Sequence, residues 1–146
     1  MINHSKLEGM FRRLDEYLSH LQVLAQDAPE QLTADAIRLG AAKYYLQIAI
    51  ECCVGIANHI IARQNWRAPR NLADSFVVLV ENRILPTAFE PTARRMVGLR
   101  NRLVHLYWEV DANTLCDTLR NNLTDFECFK AAIHRYLQTL SASEDR

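Results

Sequence analysis

The chain has 146 residues, 49% of them apolar, with only four Gly and four Pro; that length can bury a core without disulfides or metals, and so few turn residues set aside a sheet-built fold. Seventeen Lys and Arg balance seventeen Asp and Glu, which excludes a global positive field for nucleic acid and makes any RNA site a local one. The N-terminus lacks the apolar core of a signal segment, and no apolar run approaches the ~20 residues of a membrane span, so the expectation is one cytoplasmic domain over 1–146 with no membrane association.

From Lys6 to about Gln26, Leu7, Phe11, Leu14, Leu18, Leu21 and Leu24 recur every three or four positions and predict a helix that Asp27 to Pro29 ends. Thr33 is the candidate cap of a long second helix, whose stripe Ile37, Ala41, Tyr44, Ile48, Cys52 and Ile56 runs to about Ile61. Residues Arg63 to Asn71 break the period and read as a loop, and Asp74 to Asn82 reads as a short helix. Pro86 stops it. The next helix starts between 87 and 91, where Thr87 and Glu90 have capping-box spacing but Pro91 removes a donor. Its stripe of Thr92, Met96, Leu99, Leu103 and Leu106 carries it to about Trp108. A last helix starts near Thr114 on Leu115, Leu119, Leu123, Phe126, Phe129, Ile133, Tyr136 and Leu140, and residues 141–146 read as a frayed tail. The sum is an all-α, up-and-down bundle of four long helices plus one short helix.

The charge is unevenly placed. Residues 52–73 and 91–108 contain no Asp or Glu but hold Arg63, Arg67, Arg70, Arg94, Arg95, Arg100 and Arg102. Trp66 stands among the first three; it can stack a base, but anchoring the loop to the bundle is the expected role. Cys52, Cys53, Cys116 and Cys128 lack zinc-site spacing and read as reduced core thiols. His4, His20, His59 and His134 are scattered and read as structural, so no metal and no cofactor is called for.

On a wheel of about 100° per residue, Arg94, Gly98, Asn101, His105 and Trp108 lie opposite the leucine stripe, whereas Arg100 and Tyr107, seven apart, share a row at its flank. Gly98 leaves room for another backbone on the His105 row. Arg100 and His105 are about 140° apart around a regular helix, so they converge only through the reach of Arg, an irregular turn, or a second copy of the chain. Their types suit phosphodiester cleavage: a neutral imidazole accepts the 2′-hydroxyl proton, and a guanidinium holds the charge developing on phosphorus.

The stretch Gly98-Leu-Arg100-Asn101-Arg-Leu-Val-His105-Leu-Tyr107-Trp-Glu-Val-Asp111 resembles the R-x4-H-x-Y motif of the HepT toxins in the HEPN superfamily. Ala49 to Ile61 and Asp74 to Phe76 are similar to that family as well. The resemblance implies a homodimeric bundle of the HEPN fold, acting as the toxin of a type VII-like (HepT/MntA-type) toxin–antitoxin system. It implies a metal-independent endoribonuclease that cleaves RNA where two motifs meet, with Arg100 and His105 as the catalytic pair and Asn101 as their polar support. Tyr107 then matches the tyrosine that a minimal nucleotidyltransferase antitoxin modifies with AMP, adding bulk and negative charge beside the cleft. The alternative is a non-catalytic helical binding module that is substrate and partner of a nucleotidyltransferase.

Overall fold

A computed structural model of the chain describes residues 1–145. Among the described residues there are α-helices and one 3-10 turn and no strand: α1 His4–Leu24, α2 Pro29–Ala34, α3 Ala36–Arg63, α4 Leu72–Glu81, α5 Phe89–His105, the turn Tyr107–Glu109, α6 Ala112–Asn121 and α7 Leu123–Glu144. The tail expected at 141–146 continues α7 through Glu144, and Arg146 lies outside the described residues.

All six apolar positions expected of α1 are buried. They pack on α3, the element against which α1, α4 and α5 all lie. Of its expected stripe only Ile56 is fully buried, Ala41, Ile48 and Cys52 are half-buried, and Ile37 is 85% and Tyr44 57% exposed; the face on the core runs instead through Ala42, Leu46, Ala49, Ile50, Cys53, Ala57 and Ile60. The helix is apolar around most of its circumference, so periodicity does not single out one face. Ala36–Arg63 is also long and apolar enough by composition to suit a membrane span, but 56% of that apolar window is buried within the bundle.

Pro29 does not merely end α1. It begins α2, where its fixed φ is an asset and its missing N–H is not needed. Thr33 sits inside α2, donating to the Pro29 carbonyl at 2.9 Å; the cap of α3 is Asp35, which accepts from the Ile37 and Arg38 N–H groups. At α5 the Thr87–Glu90 capping box does not form: the helix starts at Phe89 without a side-chain cap, with Pro91 in its first turn. The expected final helix is two helices. Asp111 caps α6 by accepting from the Thr114 N–H at 2.8 Å, and the chain bends at Asn122 (φ −120°, ψ 0°) before α7. That bend lets Leu115 and Leu119 of α6 be buried while Phe129 of α7 packs against Phe76 and Phe89, with ring centroids 5.7 and 6.4 Å away.

The loop before α4 is held by Arg67, whose guanidinium reaches Asp74 at 2.7 Å and Glu81 at 2.9 Å. Trp66 packs on Tyr136 with ring centroids 6.0 Å apart, the anchoring role expected of it. Of the cysteines, Cys53 and Cys116 are buried and Cys52 half-buried, but Cys128 is exposed, so not every thiol belongs to the core.

Phe129 is fully buried, and Phe129→Ala is expected to cost about 3–5 kcal/mol through lost burial and the cavity left behind, measured by urea denaturation. A second expectation concerns acid. Hydrogen bonds from Arg67, then from the Arg70 backbone, hold the Asp74 carboxyl well below its ordinary range, and Arg67 does the same for Glu81. Because the folded values are depressed, this stabilisation is present above the unfolded values, roughly pH 4, and fades as pH falls through the folded ones. Arg67→Gln should therefore lose less stability than the parent between pH 6 and 3; an equal loss would contradict the assignment.

Candidate functional site

The helix α5 places the motif. Its outward row is exposed at Arg94, Gly98, Asn101 and His105, as the wheel predicts, and a methyl group added at Gly98 would meet nothing within 4 Å. Arg100 turns the other way. Its Nε and Nη2 donate to Glu51 Oε1 on α3 at 2.9 and 2.8 Å, and its Nη1 donates to Asn101 Oδ1 at 3.3 Å. Gln47 joins the same carboxylate oxygen at 3.3 Å. Arg100 is thus a half-buried, oriented guanidinium rather than a loose surface charge.

The helix does not reach Trp108. It ends at His105, and Leu106 (φ −133°, ψ 44°) redirects the chain into the 3-10 turn Tyr107–Glu109. Tyr107 is consequently not on the Arg100 row, contrary to the wheel. A partner for the turn lies on α3: the buried Lys43 ammonium donates to the Tyr107 carbonyl at 2.9 Å and lies 4.0 Å from the centroid of the Tyr107 ring. Burial pushes the Lys43 ammonium below its ordinary range, and the charge of Asp111 opposes that shift. Beyond the ring, the Tyr107 hydroxyl stands 3.6 Å from where a Cβ would sit on Gly40. Tyr107 stays 46% and Trp108 75% exposed.

One chain therefore brings together Arg100 and Asn101, and seats Tyr107 on Lys43, but it does not hydrogen-bond Arg100 to His105 among the described residues. Sequence reasoning missed Lys43, Glu51 and Gly40 as partners of the motif. Between Arg38 and Arg63, Lys43 and Glu51 are the only Lys, Arg, Asp or Glu residues of α3, and that signal could have marked them, since buried charges need partners. His59 is the structural histidine expected: nearly buried, it accepts the Asn3 N–H at 3.2 Å, and burial followed by the charges of Arg63 and Lys6 lowers its pKa.

A family profile described as ribonuclease HepT-like matches residues 14–133, most of the chain and all of the motif. The chain belongs to the HepT-like family. Over 84 residues, 58% of its length, this HepT-like chain is 37% identical to the mRNA nuclease HepT of Shewanella oneidensis, and the match spans 63% of that relative, less than two thirds of it. It is 23% identical to the tRNA nuclease HepT of Aphanizomenon flos-aquae over 95% of both chains. Among solved structures it is 28% identical to a tri-AMPylated Shewanella oneidensis HEPN toxin in complex with an MNT antitoxin, with a TM-score of 0.79 over 87% of this chain and 95% of that one. The all-helical HEPN architecture expected from the motif is the one observed.

Lys43→Met should free the turn. The Glu109 and Val110 amides donate to the Leu106 and Tyr107 carbonyls, and their hydrogen exchange should quicken by roughly tenfold if the charged hydrogen bond is what holds the turn down. Unchanged exchange at both amides would remove Lys43 from that role.

Proposed function

We propose that this chain is a metal-independent endoribonuclease and the toxin of a toxin–antitoxin pair, working in the cytoplasm as a homodimer. The observation that carries the proposal is the arrangement along α5: an oriented Arg100 with Asn101 beside it, His105 exposed in the last turn, and Tyr107 immediately beyond with an accessible ring. The named nuclease relatives support the same activity.

The His105 imidazole takes the proton of a ribose 2′-hydroxyl. The freed oxygen attacks the adjacent phosphorus while the 5′-oxygen of the next nucleotide leaves and takes up a proton from water, giving a 2′,3′-cyclic phosphate and a 5′-hydroxyl. Arg100 holds the charge that gathers on the phosphoryl oxygens, and Asn101 fixes one edge of the guanidinium. Because α5 is regular from Arg100 to His105 and the Arg100 guanidinium is turned onto Glu51, neither an irregular turn nor the reach of Arg100 joins the pair within one chain, which supports a cleft completed by the motif of a second copy.

Tyr107 is the proposed acceptor of AMP from a nucleotidyltransferase antitoxin, as the tri-AMPylated state of the related HEPN toxin supports. A phosphodiester on its hydroxyl would set negative charge beside the cleft and oppose the RNA backbone. The Arg100–Glu51 pair favours the alternative to this extent: a guanidinium already compensated by a carboxylate is also what a purely structural arginine looks like.

Two measurements separate these roles. The purified, unmodified protein should cut RNA in the presence of a chelator, and His105→Ala should slow cutting by about 10²–10⁴-fold; undiminished cleavage by that variant would remove His105 from the mechanism. Coexpression with the partner nucleotidyltransferase should add one or more adenylate increments to the mass, and Tyr107→Phe should abolish the gain. Modification without any cleavage by the unmodified protein would leave the binding-module alternative standing.

A further inference from the structure

Next to the motif, on the side of Arg100 away from the Tyr107 turn, an open groove of about 680 Å³ runs between α5, the segment leading into α4, and α3. That volume falls within the roughly 300–1,000 Å³ of ligand sites. Its wall includes Arg70 and Arg100 but no carboxylate, together with Asn58, Ser75, Asn101 and Val97.

The three loop arginines have separate fates. Arg67 is consumed by Asp74 and Glu81, and Arg63 does not line the groove. Arg70 is exposed, and among the described residues its guanidinium has no hydrogen bond or ion pair. Its backbone is nevertheless fixed, because its N–H donates to Asp74 Oδ2 at 2.9 Å. A guanidinium free of hydrogen bonds on an anchored backbone, in a groove whose lining also includes Arg100 and no carboxylate, is suited to a phosphate, although Asp74 and Glu81 lie near enough to feel its charge. Asn58 is set similarly. Its Oδ1 accepts from Ser75 Oγ at 2.7 Å, which leaves its amide donors without a partner among the described residues.

We infer that this groove is a subsite for a nucleotide flanking the scissile bond of single-stranded RNA, with Arg70 on a backbone phosphate and the Asn58 amide on an acceptor of the base or sugar. Val97 and Leu72 offer apolar surface for the face of the base. The groove takes a neighbouring nucleotide rather than the reacting one, because Arg100 and Asn101 line it and His105 does not. An unstacked strand can present a nucleotide to such a recess, whereas a duplex holds its bases inside. The subsite deepens the RNA-cleavage proposal above and rests on it.

The test measures binding, so it does not depend on turnover. With His105→Ala as the parent, so that RNA is not consumed, a short labelled single-stranded RNA is titrated by fluorescence anisotropy at several salt concentrations. Adding Arg70→Gln should weaken binding about tenfold and reduce the slope of log affinity against log salt by roughly 0.7–1, the loss of one phosphate contact. Arg70→Lys should retain most of that slope, and Asn58→Ala should weaken binding without changing it. Matching thermal midpoints would exclude a folding defect.

Equal affinity and slope for the parent and Arg70→Gln, or no binding by the parent, would overturn the subsite. If unmodified wild-type protein fails to cut RNA while Arg70→Gln still weakens binding, the groove stands and the cleavage proposal falls. If wild type cuts and Arg70→Gln binds like its parent, the opposite holds.

Discussion

The site depends on one helix that the bundle cannot move without losing its core. α3 buries Leu46, Ile50, Cys53, Ala57 and Ile60 on one side, so its rotation about its own axis is fixed by packing, and a core packed to crystal-like density tolerates little rotation. With that rotation fixed, the residues at its flank have fixed addresses. Gly40 and Lys43 meet Tyr107, Glu51 meets Arg100, and Asn58 lines the groove beside Asn101. These positions recur at near-helical intervals over about 27 Å of one helix. Every group of the motif except His105 is therefore referenced to the same rigid element, and α5 runs antiparallel to it, so that Lys43 meets Tyr107 while the later Glu51 meets the earlier Arg100.

The end of α5 shows how a tertiary contact decides a local conformation. By pattern the helix would continue through Leu106 to Trp108, and nothing in that stretch is a helix breaker. The buried ammonium of Lys43 makes the difference: it needs an acceptor, and the Tyr107 carbonyl supplies it at 2.9 Å. A charge left unpaired at that depth would cost more than the one or two helical hydrogen bonds given up. The helix therefore stops, and Tyr107 lies flat on Lys43 instead of projecting along the Arg100 row. The stop also sets where the tyrosine lies relative to His105, because the turn begins two residues after the histidine, with Leu106 between them.

A chain with no net charge can still present a positive site when its carboxylates are spent elsewhere. Asp74 and Glu81 are occupied by Arg67, Asp125 by Arg95, and Glu90 by Arg94. What lines the groove beside the motif is Arg100 held at its base by Glu51, Arg70 without a partner among the described residues, and Asn58 and Asn101. The proposed affinity for RNA rests on this local partition, for which the overall balance of charges is no guide.

The sequence by itself determined the all-helical class, the face of α1, the outward row Arg94, Gly98, Asn101 and His105, and the identity of the motif. These are properties of amphipathic segments with polar residues on one side, where 3.6-residue periodicity is unambiguous. It did not determine the rotation of α3, because a helix apolar nearly all round has no preferred face until neighbours choose one, and the stripe through Ile37 and Tyr44 turned out to be surface. The breaks at Leu106 and Asn122, and the short helix begun by Pro29, were likewise hidden. The first two are fixed by a distant partner or by the need to bury two faces in different directions: Lys43 for the break at Leu106, the phenylalanine cluster for the bend at Asn122. The motif was legible because its residues are neighbours in the chain. What orients them was not, because Lys43 lies 64 residues before Tyr107 and Glu51 49 before Arg100, and they become neighbours only when α3 and α5 pack.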